Sequence, residues 1–301
     1  MRRRALLLEA IRNFFAERGV LEVDTPLLQQ AVIPETHLEF MATHCRGVGP
    51  LYLQSSPEAA MKRLLAAGVG PIYQICKAFR DGESGRLHNP EFTLLEWYRP
   101  RMDHLALMDE VDELLQRVVG SAAAHRVTYR EAFHQHASLD PFDSSVAELR
   151  RAAGHCGVPD PDVLDRGACL DLLLSSVIAP WLGTDSPCFL FDFPAEQAAL
   201  ARVKGPVAER FELFLQGVEV ANGFHELTDP LEQRRRFATA QSGRARAGLN
   251  PVPADERMLE ALAHGMPDCA GVALGVDRLL MCALGSNNLG DTLTFPISCA
   301  G

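Results

Sequence analysis

Three segments of this 301-residue chain concentrate side chains suited to anions, amines and divalent metals. The first, 79–92, reads FRDGESGRLHNPEF. Arg80 ends one apolar run and faces a polar loop, and Phe92 opens the next run. A guanidinium grips phosphate or carboxylate through a planar fork of charge-assisted bonds, and an aromatic ring offers a face for a nucleotide base. On residue types alone, a hairpin with a solvated charged loop is the commoner meaning of such a segment.

The second segment, 209–227, reads ERFELFLQGVEVANGFHEL. Gln216-Gly217 is a hairpin turn signal. A two-residue turn there sets Glu212 opposite Ala221, with Glu219 as its diagonal neighbour. A turn one position earlier sets Glu212 directly opposite Glu219. Either register puts both carboxylates on one face, because side chains alternate with a period of two. Like charges at that range destabilise a ladder unless a cation lies between them, and magnesium typically takes one or two carboxylates plus phosphate oxygens. An acidic face open to water, with Leu213, Leu215, Val218 and Val220 on the other side, balances that reading about evenly. Glu226 follows Asn222, Gly223 and Phe224, and a carboxylate beside an aromatic ring suits a cationic amine. Glu58 and Glu96 add two acids, each of a kind that more often caps a helix or lies on the surface.

The third segment, 271–278, reads GVALGVDR. Glycine on a strand lets a ligand approach the backbone, and Arg278 at the start of a helix makes an anion site with the helix N-terminus. It is neither a GxGxxG nor a Walker A loop.

These segments need elements to hold them. Apolar spacing predicts a helix over 3–18 stopped by Gly19, a short strand 20–23 and a strand 51–54. Ser56-Pro57-Glu58 opens a helix that runs to about Ala67, with Ser at the cap and Pro at the first position. Strands 71–80 and 91–99 flank the loop 81–90 as a long hairpin. Helix 103–119 follows, and 128–185 reads as mostly helical, so that roughly 103–185 forms an insertion or support layer. Strand character returns at 187–193 and 207–222, helices cover 230–247 and 255–264, and strand 271–276 runs into helix 277–284. The pattern predicts an α+β architecture, an antiparallel sheet flanked by helices in one catalytic domain.

Composition is that of an ordinary globular chain: 47% hydrophobic and 23% charged residues. No apolar run reaches the length of a membrane helix. The basic start, Met1-Arg2-Arg3-Arg4, is followed by an apolar stretch that Glu9, Arg12 and Asn13 interrupt, so a signal peptide is not expected and the chain reads as cytoplasmic. A net charge of −10 argues mildly against a long nucleic acid as partner. Eight cysteines without a CxxC pair read as reduced thiols rather than a disulfide framework or zinc site.

In order, the segments resemble class II aminoacyl-tRNA synthetases: helix 3–18 with the strand ending at Pro26 looks like motif 1, FRDGESGRLHNPEF like motif 2, and GVALGVDR like motif 3. The segment 209–227 is similar to the lysyl-specific form. The resemblance implies that Arg80 holds the α-phosphate of ATP and the amino acid carboxylate, and that Asp81, Gly82, Glu83, His88 and Asn89 lie along the nucleotide. It implies that Phe92 stacks on adenine and that Arg278 holds the γ-phosphate, with Gly275 beneath the nucleotide. Glu212 and Glu219 would bind Mg2+, with Glu219 and Val220 also lining the cofactor. Ser56, Pro57, Glu58, Glu96, Tyr98, Asn222, Phe224, Glu226 and Ala273 would form the amino acid pocket. Motif 1 implies a homodimer.

Four departures refine the resemblance. No anticodon-binding domain precedes motif 1, which disfavours tRNA as partner. Ala273 stands where lysyl-tRNA synthetases usually carry glycine, and its methyl should disfavour an α-amino acid. A serine precedes Pro57 where a small apolar residue is usual. Asp81-Gly82-Glu83 replaces Arg-Asn-Glu, which leaves the usual adenine contact to Glu83. The first three resemble elongation factor P–(R)-β-lysine ligases, a truncated paralogue family that activates (R)-β-lysine with ATP and transfers it to a lysine of elongation factor P. A tRNA-charging enzyme and a non-catalytic regulator are the competing readings. Retention of Arg80, Arg278, Glu212 and Glu219 favours an enzyme.

Overall fold

The computed structural model describes residues 1–300 as two compact units, 1–102 with 226–300 and 103–225. Both combine mainly antiparallel strands with flanking helices, the α+β architecture expected.

In the first unit, the strand Leu21–Glu22 pairs in parallel with Ile72–Phe79, which pairs antiparallel with Glu91–Pro100, which in turn pairs antiparallel with Cys269–Gly275. The register aligns three cross-strand rows: Ile72, Tyr98 and Gly271; Gln74, Glu96 and Ala273; Cys76, Leu94 and Gly275. Alternation turns all nine residues to one face. The other face is aromatic and apolar. Phe15 of helix Arg2–Glu17 stacks on Tyr73 at 4.4 Å and meets Trp97 edge-on at 5.3 Å, contacts that add about 0.5–1.5 kcal/mol each beyond burial. Helix Val276–Ala283 packs over Glu91–Pro100. Arg4 bonds Asp277, whose second oxygen accepts from the Thr93 amide at 2.6 Å, so the first helix is tied to the turn carrying Arg278.

The N-terminal helix ends at Glu17 with Arg18 as its cap, and Gly19 adopts φ 65, as the stop signal predicts. The second helix differs by a residue: it runs Glu58–Ala66 with Pro57 at the cap, and Ser56 Oγ accepts from the Glu58 amide at 3.2 Å. A small sheet of Leu28–Gln29, Gly49–Leu53 and Ala42–Cys45 extends the single strand expected there. Arg244, 1% exposed on helix Pro230–Arg246, donates to the carbonyls of Glu35, Leu38 and Asn250 and to the Glu39 carboxylate. It thereby fixes the segment whose Glu39 carbonyl receives the Asp81 amide at 3.0 Å.

In the second unit, the hairpin Val207–Leu215 and Val218–His225 pairs onward with Cys188–Pro194, which is parallel to His125–Thr128. Gln216 and Gly217 both take positive φ, 53 and 75, the two-residue turn expected of that dipeptide. Helices Tyr129–Ala137 and Val146–Gly154 each begin with a capping box, Thr128 with Glu131 and Ser145 with Glu148. They and Arg166–Leu173 build a core around Tyr129, Phe133, Leu170 and Phe193. Among the described residues, no helix is long and apolar enough to cross a membrane.

Candidate active site

The sheet face of the first unit that carries Tyr98, Glu96 and Gly271 gathers the acids picked out in the sequence. Glu96 is 2% exposed and takes a 2.7 Å bond from the Tyr98 hydroxyl, while its Oε2 is buried with no hydrogen-bond partner. Glu226 is 1% exposed. Gly271 makes room for this pair: a Cβ there would lie 2.3 Å from Tyr98 Cε1 and 2.5 Å from Glu226 Oε1.

One member of the cluster escaped the sequence reading. Lys62, wholly buried, holds Glu58 at 2.6 Å and Glu226 at 2.7 Å. The signal available was its i,i+4 spacing from Glu58 on a predicted helix, but nothing in the sequence marked it as buried. Burial opposes its charge, yet the carboxylates of Glu226 and Glu58 outweigh that and push its pKa up. Burial pushes the Glu96 carboxyl up to about 8, with Glu58 adding to the rise and the Tyr98 bond opposing it. Tyr98 is pushed well above the ordinary phenol range by burial and by Glu96. Three carboxyl groups thus share one internal ammonium, and burial favours the protonated form of Glu96. Ala273 stands directly beside Glu96 in register.

A second group of the same unit collects the predicted anion binders. Arg80 closes its strand with its amide on the Pro90 carbonyl at 3.0 Å. Its guanidinium lies 5.2 Å from the Phe92 ring and 3.7 Å from Glu83. Glu83 reaches His88 at 3.9 Å, and Arg278 Nη2 lies 2.8 Å from His88 Nε2. The two arginines therefore approach one another through Glu83 and His88. Arg80 Nε is buried without a hydrogen-bond partner, a donor left for an anion. The Asn89 side-chain amide donates to the Glu91 carbonyl at 2.6 Å and accepts from the Ile297 amide at 2.9 Å. Asp81 and Gly82 are exposed on the loop, with the Asp81 carboxylate accepting the Gly82 amide at 2.9 Å. Glu35 lines a cleft with Ser55, Ser56 and Glu58 and feels the charges of Arg80, Glu58 and Glu83.

In the second unit, the acid pair sits in a register that neither turn position predicts. Leu213 pairs with Ala221 but Phe214 with Glu219, so Val220 is an extra residue and Glu212 falls opposite Asn222. The bulge keeps Glu212 and Glu219 on one face, two positions apart along the ladder. Burial pushes the Glu212 carboxyl up to about 7, with the Glu219 charge raising it further and Arg210 opposing. Arg210, also missed in the sequence, bonds Glu212 and lies 4.3 Å from the Phe193 ring and 6.0 Å from that of Phe224. Asn222 Oδ1, across the ladder from Glu212, is buried without a hydrogen-bond partner. The set of Glu212, Glu219 and Asn222 Oδ1 is therefore all-oxygen, which fits a hard divalent cation such as magnesium.

Residues 1–298 match the family model of class II tRNA synthetases specific for D, K and N. The chain belongs to the class II tRNA synthetase family. Among its relatives, the elongation factor P–(R)-β-lysine ligase of Edwardsiella ictaluri is 50% identical over 98% of this chain and 94% of its own length. Ligases of the same name from Salmonella paratyphi B and Salmonella heidelberg are each 48% identical with the same coverage. As in other class II synthetase-like ligases, the chemistry implies ATP use.

Proposed function

We propose that the chain activates (R)-β-lysine with ATP and transfers it to a lysine side chain of elongation factor P in the cytoplasm. The observation that carries this reading is the buried cluster of Glu58, Glu96 and Glu226 around Lys62. Once an incoming amine displaces the proton that burial favours on Glu96, three ionised acids around one internal ammonium leave two negative charges, the complement of a ligand bearing two amines. The Ala273 methyl beside Glu96 favours an amine displaced from the α position. The names of relatives about half identical over nearly the whole chain support the same substrates.

Arg80, with its unpartnered Nε and the neighbouring Phe92 ring, is assigned to the α-phosphate and the adenine end. Arg278, beside His88, is assigned to the terminal phosphate, with Gly275 leaving room beneath the nucleotide. The substrate carboxylate attacks the α-phosphorus, the bond to the bridging oxygen breaks, and pyrophosphate leaves. The ε-amine of the acceptor lysine then attacks the acyl carbonyl, loses a proton, and AMP departs. The arginines counter charge that grows on the phosphate oxygens, and the amine cluster fixes the carboxylate for attack. Glu212 and Glu219 would hold Mg2+, which supplies Lewis-acid screening of a polyphosphate when bound. The working form is a homodimer built on the first helix.

Incubation with ATP, (R)-β-lysine and elongation factor P should add one β-lysyl residue to the factor by intact mass. Pyrophosphate exchange should be stimulated more by (R)-β-lysine than by α-lysine. Exchange driven chiefly by α-lysine, or charging of total tRNA, would replace this reading with the tRNA-charging one.

A further inference from the structure

His104, Glu209 and His225 lie far apart in sequence, yet one potential ligand atom from each falls within 4.8 Å of the other two. His104 is the first residue of helix His104–Val119, which packs on both strands of the hairpin. It is 6% exposed, and neither ring nitrogen has a hydrogen-bond partner. Burying an imidazole in that condition is costly, because each desolvated polar atom forfeits its bonds to water. Its ring is stacked on that of His225, with centroids 6.3 Å apart. His225 Nδ1 lies 2.6 Å from Glu209 Oε2.

The strand geometry builds this juxtaposition. Ala208 and Phe211 pair with Phe193 and Phe191, so Glu209 and Arg210 both oppose Asp192, which takes φ 60. Such a bulge re-aims side chains. Arg210 goes to the face of Glu212 and Asn222, and Glu209 goes with His225 to the opposite face, where the His104 helix lies. The cluster is therefore separate from the acid pair. Arg126, whose charge reaches His104, is ion-paired to Asp109 at 2.6 Å.

We propose that His104, Glu209 and His225 bind a divalent transition-metal ion of the zinc class. Two imidazoles and one carboxylate suit zinc or cobalt rather than magnesium or calcium. Three protein ligands leave a fourth position for water, and Glu209, the most exposed of the three, gives the ion a way in. The ion takes up the unsatisfied His104 nitrogen and clamps the start of the helix to the hairpin.

The test is titration of the metal-stripped full-length protein with Co2+, followed by displacement with Zn2+. The wild type should show one equivalent of visible d–d absorption without thiolate charge-transfer bands, lost on adding one equivalent of Zn2+. His104→Ala and Glu209→Gln should each weaken Zn2+ binding at least tenfold. Glu209→Gln preserves shape and decides the matter if His104→Ala does not fold. Absence of binding, equal affinity in the wild type and Glu209→Gln, or a spectrum dominated by thiolate bands from the cysteines would each overturn the proposal.

Discussion

Lys62 carries a large energetic consequence for the buried cluster of Glu58, Glu96 and Glu226. It is buried with two carboxylates as partners, and removing one member of such a group leaves uncompensated charge. Lys62→Met should therefore cost about 3–5 kcal/mol in urea unfolding. Glu96 gives a pH signature. Its folded-state pKa of about 8 lies above the ordinary 4.5, so the folded protein holds a proton that the unfolded chain releases. Stability from this group is complete below pH 4.5 and is lost as pH rises through about 8. Glu96→Gln should flatten that slope in thermal unfolding measured from pH 5 to 9. An amine arriving at Glu96 near pH 7 should expel this proton, which calorimetry in buffers of different ionisation enthalpy would register. At Ala273, Ala273→Gly should move the ratio of pyrophosphate-exchange efficiencies toward α-lysine by about tenfold or more, the worth of a methyl in a tight pocket.

At the scale of elements, the close approach of strand Cys269–Gly275 to Tyr98 and Glu226 has no slack. Gly271→Ala should cost about 1–3 kcal/mol through overpacking and impair amine binding more than nucleotide binding, seen as a raised KM for (R)-β-lysine. The main elements were legible because their apolar spacing is regular: strands 71–80 and 91–99 and helix 103–119 appear within a residue or two of the expected bounds. The hairpin turn at Gln216-Gly217 was legible from its dipeptide, but the register beyond it was not. One inserted residue at Val220 slides Glu212 from Ala221 to Asn222, and no residue type announces a bulge of that kind. The strands Leu28–Gln29, Ala42–Cys45 and Val203–Lys204 went unseen because two to four residues carry too little periodicity to register. Lys62, Arg210 and Arg244 were not picked out, since burial of a cation depends on partners brought in by tertiary contact.

For the whole molecule, the low pI of about 5.5 and net charge of −10 give little of the phosphate attraction that long nucleic acids require. Ligands binding only the folded chain should stabilise it by mass action, about 2.7 kcal/mol at a hundredfold excess over Kd. ATP with (R)-β-lysine should therefore raise the unfolding midpoint, and Arg278→Ala should abolish most of that rise.

A protein proposed to make an acyl group that lysine amines capture must itself survive the encounter. The sequence holds three lysines, at 62, 77 and 204. Lys62 is sealed inside the fold and kept charged by its two acids, so it has no lone pair to offer. Lys77 is engaged with Glu91 at 3.1 Å. Self-acylation of side chains, mapped by peptide mass after long incubation without acceptor, should spare Lys62 and fall on Lys204 and, because its surface pair is open to water, on Lys77.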